Sequence, residues 1–354
     1  MDRPHESRAA PAGETAEVAE KTAPGGSDGR TTMRAVVHDT YGSADVLYLS
    51  EIEVPRPGED EVVVQVEAAG VGRDVWHMMT GLPYLGRLAF GLRAPKDRVR
   101  GRDVAGRVTA VGAKVTRLRP GDAVMGVCEG SFAQYARAKE SKLAYLPPGL
   151  TAVQAAAAPI AGCTALQALR ERGGLRAGQR VLVIGASGGV GTFAVQLATA
   201  MGARVTGVCS AAKADLVRSL GVERVIDYAG EDIAAEGPVY DLIIDIAGQR
   251  RLSHLRRALN REGTLVIVGG EGGDRLTGGL GRQLGALVLS PLVRQRLRML
   301  VASEHHAGLE ALNEFLQAGT VTPAIDTTYP LERAAEAVRR LESEQARGKV
   351  VVTV

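Results

Sequence analysis

Val181-Leu-Val-Ile-Gly-Ala-Ser-Gly-Gly-Val-Gly191 decides the reading of this chain. Four apolar residues, three of them β-branched, run straight into a seven-residue turn holding four glycines. Apolar residues at helical spacing follow: Val190, Ala194, Leu197, Ala198 and Met201. A buried strand, a glycine turn and a helix N-terminus in that order form the cradle that a dinucleotide pyrophosphate requires. Gly185 permits the tight turn, Gly188 lets the backbone approach the phosphates, and Gly191 lets helix and strand pack closely. The N–H groups at the helix start, around Ser187, Gly189 and Val190, then receive the anion. The spacing is the shifted G-x-x-G-x-x-G form, so the flanking strand and helix carry the assignment.

Outward from the turn, strand patterns at Val181–Ile184, Val205–Val208, Val225–Asp227, Leu242–Ile246 and Leu265–Val268 alternate with helical ones. That alternation predicts βαβ units and a parallel sheet. Between Arg34 and Leu146 the chain changes to short strands and turns, with β-rich runs at Val62–Glu67 and Gly106–Val111 and a turn at Pro120-Gly-Asp122. The tail resembles the front half: helices near Gly308–Ala318 and Leu331–Glu342, then a strand at Val350–Val354. The expected organisation is one discontinuous domain, residues 33–156 and 303–354, interrupted by a nucleotide-binding domain at 157–302. Residues 1–32 are rich in Ala, Pro, Gly, Glu and Ser without an apolar block, and are expected to be a disordered extension. No secretory apolar segment is present there, and the acidic residues argue against a transit peptide.

Several stretches together carry a family resemblance: Met33-Arg-Ala-Val-Val, Ala68-Ala-Gly-Val71, Gly101-Arg-Asp-Val-Ala-Gly106, Arg119-Pro-Gly-Asp122, Ser131-Phe-Ala-Gln-Tyr135, Ala161-Gly-Cys-Thr-Ala165, the glycine turn and Gly348-Lys-Val-Val351. In this order they resemble the medium-chain dehydrogenases/reductases, in the zinc-free quinone-oxidoreductase-like branch. The resemblance implies an α/β fold: a Rossmann doubly wound parallel sheet plus a GroES-like β-barrel catalytic domain, with the cofactor in the cleft between them. It also implies cofactor contacts from Thr164, Gly269 and Lys349.

Alcohol dehydrogenases of the same superfamily hold a catalytic zinc with a Cys, a Gly-His-Glu motif and a second Cys or Asp. The corresponding positions here read Val71 or Gly72, Gly101-Arg102-Asp103, and Ile160. An arginine cation and two apolar residues do not supply the N and S ligands of zinc. The lobe with four closely spaced cysteines is missing as well. Cys128 and Cys163 then read as small buried apolar side chains. His305 and His306 are adjacent and point apart on any regular element, which fits a solvated surface better than a ligand pair. No zinc is expected.

NAD-binding members place an acid about twenty residues past the glycine turn. Here the strand Arg204-Val-Thr-Gly-Val208 ends in Cys209-Ser-Ala-Ala-Lys213, with no acid at its tip. A hydroxyl and an ammonium suit a 2′-phosphate, so Ser210 and Lys213 point to NADPH, and the resemblance adds Tyr228 as a third contact. A helix-capping Ser and a solvated Lys are the plainer alternative. For proton transfer, many relatives carry an Asn in a Val-Asn-Pro motif, whereas this chain reads Val71-Gly-Arg-Asp74. Candidate replacements are Arg73, Asp74, His77 and Tyr84; the plainer account has Asp74 capping a helix Val75–Thr80 and Trp76 in the core. The stretch from Gly81 to Arg100 is longer than in the branch and apolar, fit to shape a substrate pocket or lid. Tyr135-Ala-Arg-Ala-Lys139 matches Y-x-x-x-K but lies upstream of the turn, and it is rejected as a catalytic pair. The turn is neither a nucleophile elbow nor a G-K-[ST] phosphate loop.

The 354 residues suffice for two cored domains, and 45% hydrophobic with 23% charged residues is ordinary globular composition. A net charge of +3 with interspersed signs indicates neither nucleic acid nor membrane as partner. No apolar run reaches membrane-spanning length. Three distant cysteines fit a reducing compartment, and a cytoplasmic location is expected. The reading is an NADPH-dependent reductase acting on a small-molecule quinone, enone or aldehyde. A zinc alcohol dehydrogenase and a non-catalytic NADPH-binding regulator are the alternatives. A homodimer is expected, with Leu284–Leu289 as an apolar strand at or near the sheet edge; the competing account is a monomer shielded by a helix at Leu292–Leu300.

Overall fold

The computed structural model describes residues 31–269 and 273–354. The expected N-terminal extension lies outside the described residues except at its end, where Thr32 already opens the strand Thr32–Val37. Six strands form one wholly parallel sheet, in the spatial order Arg224–Asp227, Arg204–Cys209, Arg180–Ile184, Tyr240–Asp245, Leu259–Ile267 and Arg296–Met299. Numbered along the chain this order is 3-2-1-4-5-6, the doubly wound Rossmann arrangement. The order reverses between Arg180–Ile184 and Tyr240–Asp245, and a crevice opens beyond their carboxyl ends. Val181, Leu182, Val183 and Ile184 are all buried, as expected of a parallel strand covered on both faces.

The late part of this domain departs from expectation. Leu280–Leu289 is a helix, not the expected strand, and Arg296–Met299 is the edge strand where the competing account placed a helix. Arg296-Leu297-Arg298 alternates with period two: Leu297 is 3% exposed while both arginines face water. Leu280, Leu284 and Leu287 instead repeat at helical spacing. Arg282 on that helix is paired with Asp245, which is buried at the end of its strand.

Seven further strands build a second sheet, ordered Ile325–Pro330, Lys349–Thr353, Glu61–Val71, Asp103–Val111, Ala123–Val127 and Leu143–Tyr145, with Tyr135–Lys139 also paired to Glu61–Val71, while Thr32–Val37 and Tyr48–Glu53 pair as a separate two-stranded sheet. Lys349–Thr353 runs antiparallel to Glu61–Val71, with Val351 opposite Gly70. The tail strands thus complete this second sheet. A helix Ala152–Ala157, started by a reciprocal Thr151–Gln154 capping box, leads into the helix Pro159–Gln167. Ala155, Ala156, Ala157 and Ala158 are fully buried, and one apolar core continues through them from Val183 to Ala68 and Ala105. Small side chains bring the two sheets close enough to share a cleft wall: the Gly348 N–H donates to Ser187 O at 2.9 Å, joining the last strand to the glycine turn.

Candidate active site

The crevice at the switch point is a cavity of about 690 Å³. Its Rossmann wall includes Gly185, Ser187, Gly188, Gly189 and Val190; the opposite wall includes Val71, Gly72, Arg73, Asp74, Ile160, Gly348 and Lys349. Gly185 has φ +87°, a conformation that side-chain-bearing residues rarely adopt. Gly188, extended at φ −85°, is the N-cap of the helix Gly189–Ala200, whose first-turn N–H groups have no helical acceptor. A Cβ built on Gly188 would meet nothing nearer than Gly185 O at 3.6 Å, so the space before it is open. A dinucleotide fits this cradle. Gly191 does not line the cleft; it lies inside the helix, where a Cβ would collide with Gly185 O.

Ser210, Lys213 and Tyr228 line the far end of the same cavity. Ser210 takes the N-cap position of the turn Ala211–Lys213, yet its side chain makes no capping bond. Lys213 is not a solvated surface lysine. Its Nζ donates to Glu344 O at 2.6 Å and to Ala346 O at 2.9 Å, and burial lowers its pKa. An ammonium has three donors, so one stays available to an anion. Glu344 also lines the cavity, with its carboxylate 3.7 Å from Arg73.

At the inner end, where zinc enzymes carry their ligands, the donor set does not fit a metal. Asp103 Oδ2 is 2.8 Å from the ammonium of Lys349, and Oδ1 accepts from the Ile160 N–H at 2.9 Å. Both partners are buried, at 1% and 4% side-chain exposure, so the pair stands or falls together. Arg102 reaches Glu304 at 3.4 Å and Asp74 at 3.9 Å. Among the described residues no group of three His, Cys, Asp or Glu is placed to hold a metal ion. Cys128 and Cys163 are buried and unpaired, and burial pushes the Cys163 thiol up to about 12. His305 is exposed and accepts from the Ala307 N–H at the start of the helix His306–Gln317.

Of the four candidate proton donors Arg73 and Asp74 line the cavity, whereas His77 and Tyr84 do not. Asp74 lies in the first turn of the helix Arg73–Thr80, which begins two positions earlier than expected, so that Gly72 and not Asp74 is the N-cap. His77 Nδ1 donates to Leu82 O at 2.7 Å, and its ring meets the edge of Trp76, which packs against the core. Tyr84 is exposed, beside the Arg87 guanidinium. Its backbone N–H donates to Arg275 O, and that of Leu85 to Leu276 O, tying the long 81–100 segment to the other domain. Thr164 is buried on its helix and Gly269 bonds Asp245 O; neither lines the cavity. Sequence reasoning missed the Asp103–Lys349 pair and the cavity residues Gln249 and Arg250. The available signal for the pair was Lys349 itself, a cation leading the buried run Val350-Val-Val352, which requires a partner.

The family profile described as an alcohol dehydrogenase GroES-like domain matches residues 58–148, and that of a zinc-binding dehydrogenase matches residues 220–352. A chloroplastic quinone-oxidoreductase from Triphysaria versicolor is 33% identical over 336 residues, covering 90% of this chain and 98% of the relative. A mitochondrial NAD(P)H oxidoreductase from Bos taurus is 32% identical, covering 92% and 90%. Among solved structures, the quinone oxidoreductase from Coxiella burnetii superposes with a TM-score of 0.80 at 26% identity, covering 92% of this chain and all of that one. A mycobacterial protein solved with NADPH superposes at 0.77, also at 26% identity, covering 91% of this chain and all of that one. The chain belongs to the medium-chain dehydrogenase/reductase family, in its quinone-oxidoreductase-like branch. It is an oxidoreductase built around a nicotinamide cofactor, and no helix among the described residues is long and apolar enough to cross a membrane.

Proposed function

We propose that this protein is a zinc-independent reductase that uses NADPH to reduce a quinone, an enone or an aldehyde. The observation that carries the reading is the cavity itself: the glycine turn opens at one end onto Ser210, Lys213 and Tyr228, with no acid at the strand tip. When bound, the reduced nicotinamide supplies a hydride. Gly188, Gly189 and Val190 would hold the pyrophosphate, and Ser210, Lys213 and Tyr228 the 2′-phosphate. The apolar walls at Val71 and Ile160 would exclude water from the reacting end. The unpaired cysteines suit a reducing, cytoplasmic setting, and a homodimer is part of the same proposal.

Titration with each cofactor and assay with a panel of quinones, enals and aldehydes test it. NADPH binds more tightly than NADH, and Lys213→Ala weakens NADPH roughly 10-fold or more while leaving NADH nearly unchanged, as expected for loss of a hydrogen bond to a charged group. Equal dissociation constants in the wild type would overturn the cofactor assignment. Turnover survives prolonged chelation; activity lost to the chelator and restored by Zn²⁺ would overturn the zinc-free reading.

A further inference from the structure

Position 72 is a glycine, and Asp74 occupies the room its missing side chain leaves. A Cβ on Gly72 would collide with Asp74 Oδ1 and stand 3.8 Å from Lys349 Nζ. Asp74 lines the cavity together with Val71, Ile160 and Gly189. The side chain as a whole is 20% exposed, yet Oδ2 is shut off from solvent and accepts no hydrogen bond from the described residues. Three cations and a carboxylate act on it: Arg102 at 3.9 Å, whose other arm is held by Glu304, the buried Arg100, and the Lys349–Asp103 pair. Arg73, the neighbour on its own helix, is paired with Glu344.

Resting on the reductase reading above, we propose that Asp74 is the proton donor of the reaction, acting as a carboxylic acid against the reacting end of the cavity. An enone that has accepted a hydride at carbon holds the new electron pair as an enolate. The Asp74 O–H bond breaks, its proton goes to that enolate, and the carboxylate left behind regains a proton from water at the cavity mouth. One hydride and one proton account for the two-electron reduction, and the nicotinamide is the group oxidised. Arg102 and Lys349 stabilise the carboxylate at the moment it forms. Burial, with Asp103 next to it, raises the Asp74 pKa above the ordinary carboxylate range against the opposing pull of those two cations. A carboxyl whose pKa is raised by burial and a neighbouring carboxylate is a recurring design for acid catalysis.

The test compares wild type, Asp74→Asn and Asp74→Glu. With 2-cyclohexenone or 1,4-naphthoquinone as acceptor, wild-type kcat falls as pH rises through the pKa of the acid. Asp74→Asn loses that limb and roughly 100-fold or more of kcat, Asp74→Glu recovers part of both, and NADPH affinity stays within about twofold. Independently of turnover, infrared titration of the cofactor-free protein shows a protonated-carboxyl band persisting above the pH at which ordinary carboxyls ionise that Asp74→Asn lacks; thermal melts confirm that each variant is folded. An Asp74→Asn enzyme retaining rate and pH limb, or a wild type without the band, would overturn the proposal. A wild type that reduces no acceptor overturns the reductase reading instead, and the band then reports separately on whether Asp74 holds a proton.

Discussion

Gly188 and Gly191 sit three residues apart and answer to different demands. A Cβ on Gly188 finds open space, whereas one on Gly191 would collide with Gly185 O and lie 2.8 Å from Ala186 Cα. Gly188→Val should therefore fold, with a Tm within a few degrees of wild type, and lose NADPH affinity because the branched side chain stands where the pyrophosphate must approach. Gly191→Ala should lower stability by roughly 1–3 kcal/mol through overpacking of strand on helix. Calorimetry and thermal melts separate the two effects, and unchanged NADPH affinity in Gly188→Val would remove the pyrophosphate from this turn. The two roles could be read from the sequence because turn, strand and helix are contiguous. Asp74 was legible only as one of several candidates, since its nearness to Lys349 spans most of the chain.

At the scale of elements, the strand Thr32–Val37 delivers His38 into a fully buried position. Its Nδ1 donates to Thr40 O at 3.1 Å, and burial together with the nearby Arg100 cation lowers its pKa to about 4. The unfolded imidazole titrates near 6.5, so unfolding takes up a proton between these values. The stability contribution is complete above pH 6.5 and is lost as pH falls toward about 4, amounting to roughly 3 kcal/mol at most. Urea midpoints measured from pH 7 to 4.5 should fall less steeply in His38→Asn than in wild type; identical slopes would show that His38 is not held neutral. The exchanged helix and strand late in the Rossmann domain illustrate where sequence patterns fail. Leu284–Leu289 is a short apolar run that fits either element by composition, and only packing on the sheet settles which one forms.

On the scale of the whole molecule, the sheet ends in Arg296–Met299, which among the described residues pairs along one side only, with Leu259–Ile267. The neighbouring helix leaves Leu284, Leu287 and Val288 at 58%, 49% and 71% exposure, and Leu292 follows at 77%. An unpaired strand edge beside an apolar helix face favours association, and a two-fold axis covers both copies with one patch. Light scattering at micromolar concentration should give twice the 37.1 kDa chain mass, and the double variant Leu287→Asp, Val288→Asp should shift it toward the monomer. A wild type of single-chain mass would count against the dimer. The residues proposed for self-association are those expected from the sequence, but on a helix and a different edge strand.

Local information sufficed for the glycine turn, the alternation of strands and helices, the acid-free tip at Cys209–Lys213 and the unsuitability of Val71, Arg102 and Ile160 as zinc ligands, because each rests on residues close in the chain or on side-chain chemistry alone. Tertiary structure alone decided that Lys349 would neutralise Asp103 from 246 positions away, that Lys213 would be held by the carbonyls of Glu344 and Ala346, and that Asp74 rather than His77 or Tyr84 would line the cavity. Those contacts arise where the returning tail strand pairs with Glu61–Val71 and meets the glycine turn, and pairing across such separations depends on the folded core rather than on any periodicity in the chain.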